Sequence, residues 1–319
     1  MIVWIVFIAL ILVFLALDLG VFNKNAHVVS NKEAALWTVV WVSVALLFSL
    51  GIFFIYKYEL IKNVEGLSAS RAMIKYITGY LIELSLSVDN IFIIAVIFSS
   101  FKVPHKYQHR VLFWGIIGAI LFRASMILFG VTLINKFEWL TYIFGGFLLY
   151  TAIKMLFAKE EESYNPKKSL IYKWIQKIIP VSDSIDGEHF FIHKDHKRIA
   201  TPLFIALIVI EFTDILFALD SIPAILGITR DSFLVFSSNI MAILGLRSMY
   251  FFLANMLNKF KKLHYSLVVI LSFVGVKLIL AGFEIEFKEW VSLTVIGVSL
   301  LGGVLLSIFT TSNEKPSSM

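Results

Sequence analysis

Apolar residues in this chain come in long runs separated by short polar stretches, with little alternation. The runs predict nine membrane-length helices, at 1–22, 35–56, 78–100, 111–134, 138–157, 202–227, 233–256, 264–283 and 290–310. Most are about 20 residues long, which is what an α-helix needs to cross the hydrocarbon core. The informative positions are the polar ones inside the runs. Glu211, Asp214 and Asp220 fall within the stretch from Pro202 to Gly227, and Glu83 and Asp89 fall within 78–100. A carboxylate at the bilayer centre costs roughly 2.5–3.5 kcal/mol on insertion scales. Three in one span must therefore face a partner, a water-filled cavity or an ion. Asp18, at the end of the first run, reads as an ordinary interfacial charge.

The polar positions also repeat. Glu83, five residues, Asp89 and Asn90 match Asp214, five residues, Asp220 and Ser221. Downstream, the stretch from Gly115 to Arg123 matches that from Asn239 to Arg247, and Lys154 matches Lys277. Three spans thus recur, at 78–157 and 202–283, with the loop 158–201 between them; 1–77 precedes the first copy and 284–319 follows the second. Each copy has an odd number of spans, so the second is expected to run upside down relative to the first. Inverted repeats are a transporter signature, with the substrate site near the midplane where the copies meet. The expected fold is therefore an all-α polytopic membrane protein of about nine transmembrane helices containing two inverted three-helix repeats.

Composition agrees: 59 % of the residues are hydrophobic and 16 % charged, against about 45–50 % and 25 % in soluble domains. With no cysteine, thiolate metal sites and thiol catalysis are excluded. No nucleophile–base spacing or nucleotide loop points to an enzyme. The net charge of +6 is a topology signal and not a nucleic-acid footprint. Loops on the side opposite the N-terminus carry seventeen Lys and Arg, against seven on the N-terminal side. The positive-inside rule then places the N-terminus outside and the C-terminus in the cytoplasm. Within the N-terminal side, 57–77 is unusually basic and is expected to form an amphipathic re-entry or surface helix. The first span has no basic n-region or small-residue cleavage site and is expected to be retained. In the loop 158–201, the stretch 190–200 alternates weakly about a polar turn, which predicts a short hairpin. His189, His193 and His196 there have neither helix-face nor zinc-knuckle spacing and read as solvated side chains.

The chemistry follows from charge and donor type. Counting along the helices at 1.5 Å per residue puts Asp89, Asp214, Arg123 and Arg247 near mid-span. Five intramembrane acids (Glu83, Asp89, Glu211, Asp214, Asp220) face three deep bases (Arg123, Arg247, Lys277), which leaves two negative charges in excess; Lys154 is close enough to the cytoplasmic edge to snorkel. A divalent cation would balance that excess, as would two protons, and access to both states is what a proton-coupled cation transporter needs. The donor set is oxygen only: the acids, Asn90 and Ser221. It suits hard divalent ions such as Mn²⁺, Ca²⁺ and Mg²⁺. Asp89 and Asp220 are the expected central ligands, Glu83 and Asp214 their partners, and Glu211 a proton acceptor or entry ligand. Six residues on a helix turn through 600°, so neither Glu83 with Asp89 nor Asp214 with Asp220 reaches one ion from a straight helix. Pro223 leaves two readings open, an unwound segment at Leu219–Ile222 or a plain kink. Arg123 and Arg247 read first as counter-ions of the empty site. Two rivals remain: an oxyanion permease centred on those arginines, and a membrane scaffold or assembly factor.

At these residues the chain resembles the TerC family, in its Alx branch. The resemblance is carried by Leu17–Phe22, by Gly79–Phe92, by Thr201–Phe204, by Glu211–Ala224 with its acids intact, and by Ser238–Phe251. It implies a bacterial inner-membrane protein of metal homeostasis, chiefly manganese export, in a family named for tellurium resistance. Its scaffold alternative becomes an assembly factor of a metal or tellurite stress-resistance complex. Metal identity and direction rest on the resemblance alone. No resident cofactor is expected; the partners are the transported cation, protons as coupling ion and the bilayer.

Overall fold

A computed structural model describes residues 1–20, 29–137, 139–157, 179–182, 185, 187–194, 197–254, 263–283, 285 and 287–313. Within these ranges the side chains of 18–20, 89, 135, 193, 194, 197, 263 and 308–313 lie outside the description, so Asp18 and Asp89 are placed by backbone only. The described residues form nine α-helices and one hairpin: α1 (Ile2–Gly20), α2 (Asn31–Lys57), α3 (Ala69–Ser100), α4 (His105–Lys136), α5 (Leu140–Phe157), β1 (Phe191–Lys194), β2 (Lys197–Ala200), α6 (Pro202–Leu226), α7 (Ser232–Ala254), α8 (Leu263–Ala281) and α9 (Glu289–Asn313). Eight of them, α2 to α9, are long and apolar enough to cross a membrane; the apolar run of α1, Ile2–Leu17, is shorter.

Local chemistry sets several boundaries. Ser30 and Ser68 cap α2 and α3 by accepting from Glu33 N and Arg71 N. Asp231 caps α7, its Oδ1 accepting from Phe233 N at 2.9 Å and Leu234 N at 3.2 Å. Such a cap stabilises a helix by about 1 kcal/mol. Residues 58–68 do not form the surface helix expected over 57–77. They make tight turns, and 69–77 is the start of α3. Asn63 closes the loop by bonding both N–H and C=O of Leu67. A side chain that satisfies the backbone this way competes with the helix. The hairpin forms at the expected place, with Phe191 opposite Ala200 and Lys194 opposite Lys197.

The contacts give each helix a direction. In α5 and α8 they run antiparallel, from Tyr142 Oη on Gly282 O to His264 Nε2 beside Met155 O at 2.7 Å. Antiparallel contacts also join α4 to α7, from Arg123 with Asn239 to Gln108 with Tyr250. Gly79 of α3 lies against Ile225 of α6, while Asn90 and Ile94 lie beside Ile210 and Thr213. By contrast α4 runs alongside α6, Gly118 meeting Glu211 and Gly130 meeting Ile222. Likewise α3 runs alongside α7, Gly79 meeting Ser238 and Phe98 meeting Tyr250. Trp4, packed on Phe233 at 5.1 Å, and Arg71, bonded to Glu289, mark one face of the bundle. Arg110, bonded to Glu188, marks the other. The most enclosed span is α7, which carries Ser237, Ser238, Asn239 and Arg247 among its buried residues, polar groups that are costly to leave facing lipid.

One crossing depends on two glycines. A Cβ on Gly145 would lie 2.8 Å from Gly275 O, and one on Gly275 would lie 2.9 Å from Gly145 O. Small residues that let backbones approach are the usual device of helix pairs in membranes. Gly145→Ala should destabilise the protein by about 1–3 kcal/mol through overpacking. Gly146→Ala, where an added methyl meets nothing within 4 Å, should be neutral. Thermal unfolding in detergent reads the difference; equal midpoints for the two variants would refute the close crossing.

Candidate functional site

The helices bring four of the polar spans to one point near the middle of the bundle. Glu83 of α3 is completely buried, Arg123 of α4 is 1 % exposed and Asp214 of α6 is 12 % exposed. Arg123 holds Asp214 with a two-pronged contact, Nη2 to Oδ1 at 2.7 Å and Nε to Oδ2 at 3.0 Å. Its Nη1 donates to Glu83 Oε1 and lies 3.4 Å from both Ser221 Oγ and Asn239 Oδ1. Asn239 Nδ2 donates to Glu83 Oε2 at 3.0 Å. The fork of a guanidinium matches the spacing of a carboxylate, which is why one arginine can serve two acids from opposite edges. Two formal negative charges meet one positive charge here.

Beside Asp214 lies a cavity of about 20 Å³, lined by residues of α3, α4, α6 and α7, among them Asn90, Gly115, Ile116, Thr213 and Leu246. Asn90 is 4 % exposed, and its Oδ1 has no hydrogen-bond partner among the described residues. A cavity of this size holds about one water-sized species. Glu211, one turn before Asp214, packs its carboxylate against the bare backbone of Gly118, where a Cβ would collide with it. Its Oε2 is buried and unpartnered among the described residues.

The other expected site residues sit elsewhere. Through Pro223, α6 is continuous, with Gly227 N donating to Pro223 O at 3.0 Å, so the unwound alternative does not occur. Asp214 and Asp220 consequently point to different neighbours. Asp220 accepts from Thr151 Oγ1 of α5 at 3.0 Å and is half-buried. Asp89 lies within α3, its side chain outside the description. Arg247 is 7 % exposed, and Lys277 donates to Ser292 Oγ of α9 at 2.9 Å. His189 is exposed, while the side chains of His193 and His196 lie outside the description. Among the described residues no three carboxylates or imidazoles converge on one point.

Sequence reasoning missed two features. One is Asn239, fully buried in the central cluster. It stood at the head of the second repeated stretch, and a buried amide in a span was the available signal. The other is a polar knot on the N-terminal face. Glu65 accepts from Lys75 Nζ at 2.5 Å, from Thr229 Oγ1 at 2.9 Å and from Arg230 N. Burial pushes its carboxyl up, but Lys75 and the bonds from Arg230 and Thr229 hold it below the usual carboxylate range. Next to it, burial pushes Asp231 up, and the Tyr56 hydroxyl and the α7 amides offset this only in part.

A bundle of spanning helices with a charge network buried at mid-span defines a multi-pass integral membrane protein. The chain belongs to the TerC family: the family profile described as "Integral membrane protein TerC family" matches residues 68–315. It is 47 % identical over 315 residues to a membrane protein of Myxococcus xanthus, covering 99 % of this chain and 94 % of that one. It is 43 % identical over 281 residues to the "putative membrane-bound redox modulator Alx" of Escherichia coli K12, covering 88 % and 86 %. A membrane protein of Rickettsia bellii is 43 % identical over 305 residues, 96 % of each chain. No solved structure matches the chain.

Proposed function

We propose that the protein is a divalent-cation transporter of the bacterial inner membrane that exports Mn²⁺, coupled to protons. The observation that supports this best is the pair Glu83 and Asp214 sharing one guanidinium beside the Asn90 cavity. As a stabilising device the cluster is a poor one, since buried ion pairs are often no better than apolar packing. Its excess negative charge makes sense as a cation seat held by Arg123 while empty. A cation entering at Asp214, with Asn90 Oδ1 as a neutral ligand, would displace the guanidinium, while Asn239 keeps Glu83 in place. Glu211 is suited to receive the ion or a proton first, because it lies one turn from Asp214 and its Oε2 has no partner among the described residues. Asp89 and Asp220 would be ligands further along the path, while Ser221 lies 3.4 Å from Arg123 Nη1 in the central cluster. Oxygen donors favour a hard divalent ion; manganese and outward direction rest on the resemblance.

The opposed directions of α3 and α6, α4 and α7, and α5 and α8 support an inverted repeat around this site. The basic loops support an N-terminus outside and a C-terminus in the cytoplasm. Flux of radioactive manganese into sealed proteoliposomes, with and without an imposed proton gradient, tests the reading. Wild type should transport, and Asp214→Asn should reduce flux about 10–100-fold, a loss usual for perturbed metal sites. A wild type that folds but carries no divalent cation would favour the scaffold. Loss in Arg123→Lys with full flux in Asp214→Asn would favour an anion.

A further inference from the structure

The central cluster and the polar knot lie at opposite ends of one helix seam. In α3, Lys75, Gly79 and Glu83 follow one another at intervals of four residues and so share a face. Each of the three meets α7 or the turn that leads into it. Glu83 Oε2 accepts from Asn239 Nδ2 at 3.0 Å, and Gly79 lies against Ser238. Lys75 reaches the turn through Glu65, which accepts from Thr229 Oγ1 and Arg230 N as well. Eight residues of helix rise about 12 Å, which is the length of the seam from cluster to knot. Asp220, the neighbour of Ser221, lies at the depth where the seam begins.

The middle of the seam carries no bulky side chain. Gly79 has none, and Ser238, 1 % exposed, brings only a hydroxyl. A Cβ on Gly79 would lie 2.9 Å from Ser238 Oγ and 3.7 Å from the Ile225 side chain of α6, so close packing alone shuts the seam here. The Ser238 hydroxyl donates within its own helix, to Leu234 O at 2.7 Å. What it presents to Gly79 is therefore an acceptor oxygen. Glu65 ties the outer end. It joins the loop 58–68 to α3 and to the turn between α6 and α7, with the Lys75 and Glu65 side chains only 13 % and 20 % exposed. An acid and a base thus hold each other at both ends of the seam, Glu83 with Arg123 inside and Glu65 with Lys75 outside.

We propose that this seam is the leg of the cation path between the central cluster and the N-terminal face, with Ser238 as an oxygen contact along it and the Glu65–Lys75 pair as its lock. The inference rests on the transport reading and adds a route and its closure. An ion that reaches Glu65 competes with Lys75 for one carboxylate, so its arrival and the release of the loop 58–68 are a single event.

The chain has no cysteine, so introduced cysteines can be read one at a time. The probe is a membrane-impermeant, positively charged methanethiosulfonate applied to the full chain in sealed vesicles. Leu60→Cys, exposed in the loop 58–68, reports which side is the N-terminal face. Ser238→Cys should react from that same side, and its modification should block manganese flux. Adding Glu65→Gln should speed the reaction about tenfold, the shift in an opening equilibrium expected when a partly buried ion pair is lost. Leu148→Cys, buried in α5, should stay unreactive with or without Glu65→Gln, which separates opening of the seam from general loosening. Ser238→Ala should slow manganese flux with an unchanged unfolding midpoint. No reaction at Ser238→Cys, reaction from the opposite side only, equal rates with and without Glu65→Gln, or full flux in Ser238→Ala would each overturn the proposal. A wild type that carries manganese while Ser238→Cys stays unreactive would sink this route alone; a wild type that carries none would sink the transport reading and the route with it.

Discussion

Arg123→Met should destabilise the folded protein by about 3–5 kcal/mol, the usual cost of stranding a buried charge. The substitution preserves much of the side-chain volume but leaves Glu83 and Asp214 facing each other with no cation between them. Asn239 and Ser221 would then be the remaining polar neighbours of Glu83, and neither carries charge. The protein should accumulate poorly in the membrane and unfold early in detergent. The triple variant Arg123→Met/Glu83→Gln/Asp214→Asn should recover most of the loss, because neutral amides need no counter-ion. Unfolding midpoints of wild type, single and triple variants decide the matter. A single variant as stable as wild type would show that the three charges do not depend on one another. Recovery of stability without recovery of manganese flux in the triple variant would agree with a role for these acids in transport.

The second large effect lies on the N-terminal face. Glu65→Ala should cost about 2–4 kcal/mol, since it removes a partly buried ion pair and leaves two further donors without an acceptor. The pH dependence has a definite sign. The folded carboxyl of Glu65 sits below its ordinary value of 4.5. Its contribution is therefore present above about pH 4.5 and is lost as pH falls through the folded value. Asp231 behaves oppositely, its folded carboxyl lying above its ordinary value of 3.8. Folding favours its protonated form, so that contribution is present below about pH 3.8 and is lost as pH rises through the folded value. Unfolding midpoints across pH should thus show Glu65→Gln losing most relative to wild type at neutral pH and little in acid. Asp231→Asn keeps a capping oxygen, and its midpoint should gain on wild type as pH rises. Parallel curves for all three proteins would refute both assignments.

The resemblance of the polar positions in the two repeats was visible without coordinates, and so were the acids that meet at Arg123. Glu83 and Asp214 were paired on paper as equivalent positions, and they meet in space on one arginine. What could not be read was the division of labour between Asp214 and Asp220. Both readings of Pro223 were open, and they assign the second acid to different neighbours. The unbroken α6 decides it: 600° of rotation turns Asp220 toward Thr151 of α5 while Asp214 faces Arg123 of α4. Asn239 escaped notice because its value depends on lying beside Glu83, 156 positions away in the chain. The segment 57–77 was expected to be a re-entry or surface helix because it is unusually basic for the outer side, whereas Asn63 ties the backbone of 58–68 into turns and Glu65 binds the loop to Arg230.

Hydrophobic periodicity and charge placement are local properties of a chain, and they determined what locality can: the spanning helices, the recurrence of polar positions along them, the acids placed inside the spans and the hairpin at 190–200. Which acid shares which arginine, where an unpartnered amide opens a cavity and which loop knots two helix ends together depend on contacts between distant segments. Packing sets the rotation of each helix about its axis and its height beside its neighbours, and a helix carries no record of either in its own period. That is why the tertiary structure alone could place Glu83, Arg123, Asp214 and Asn239 in one cluster.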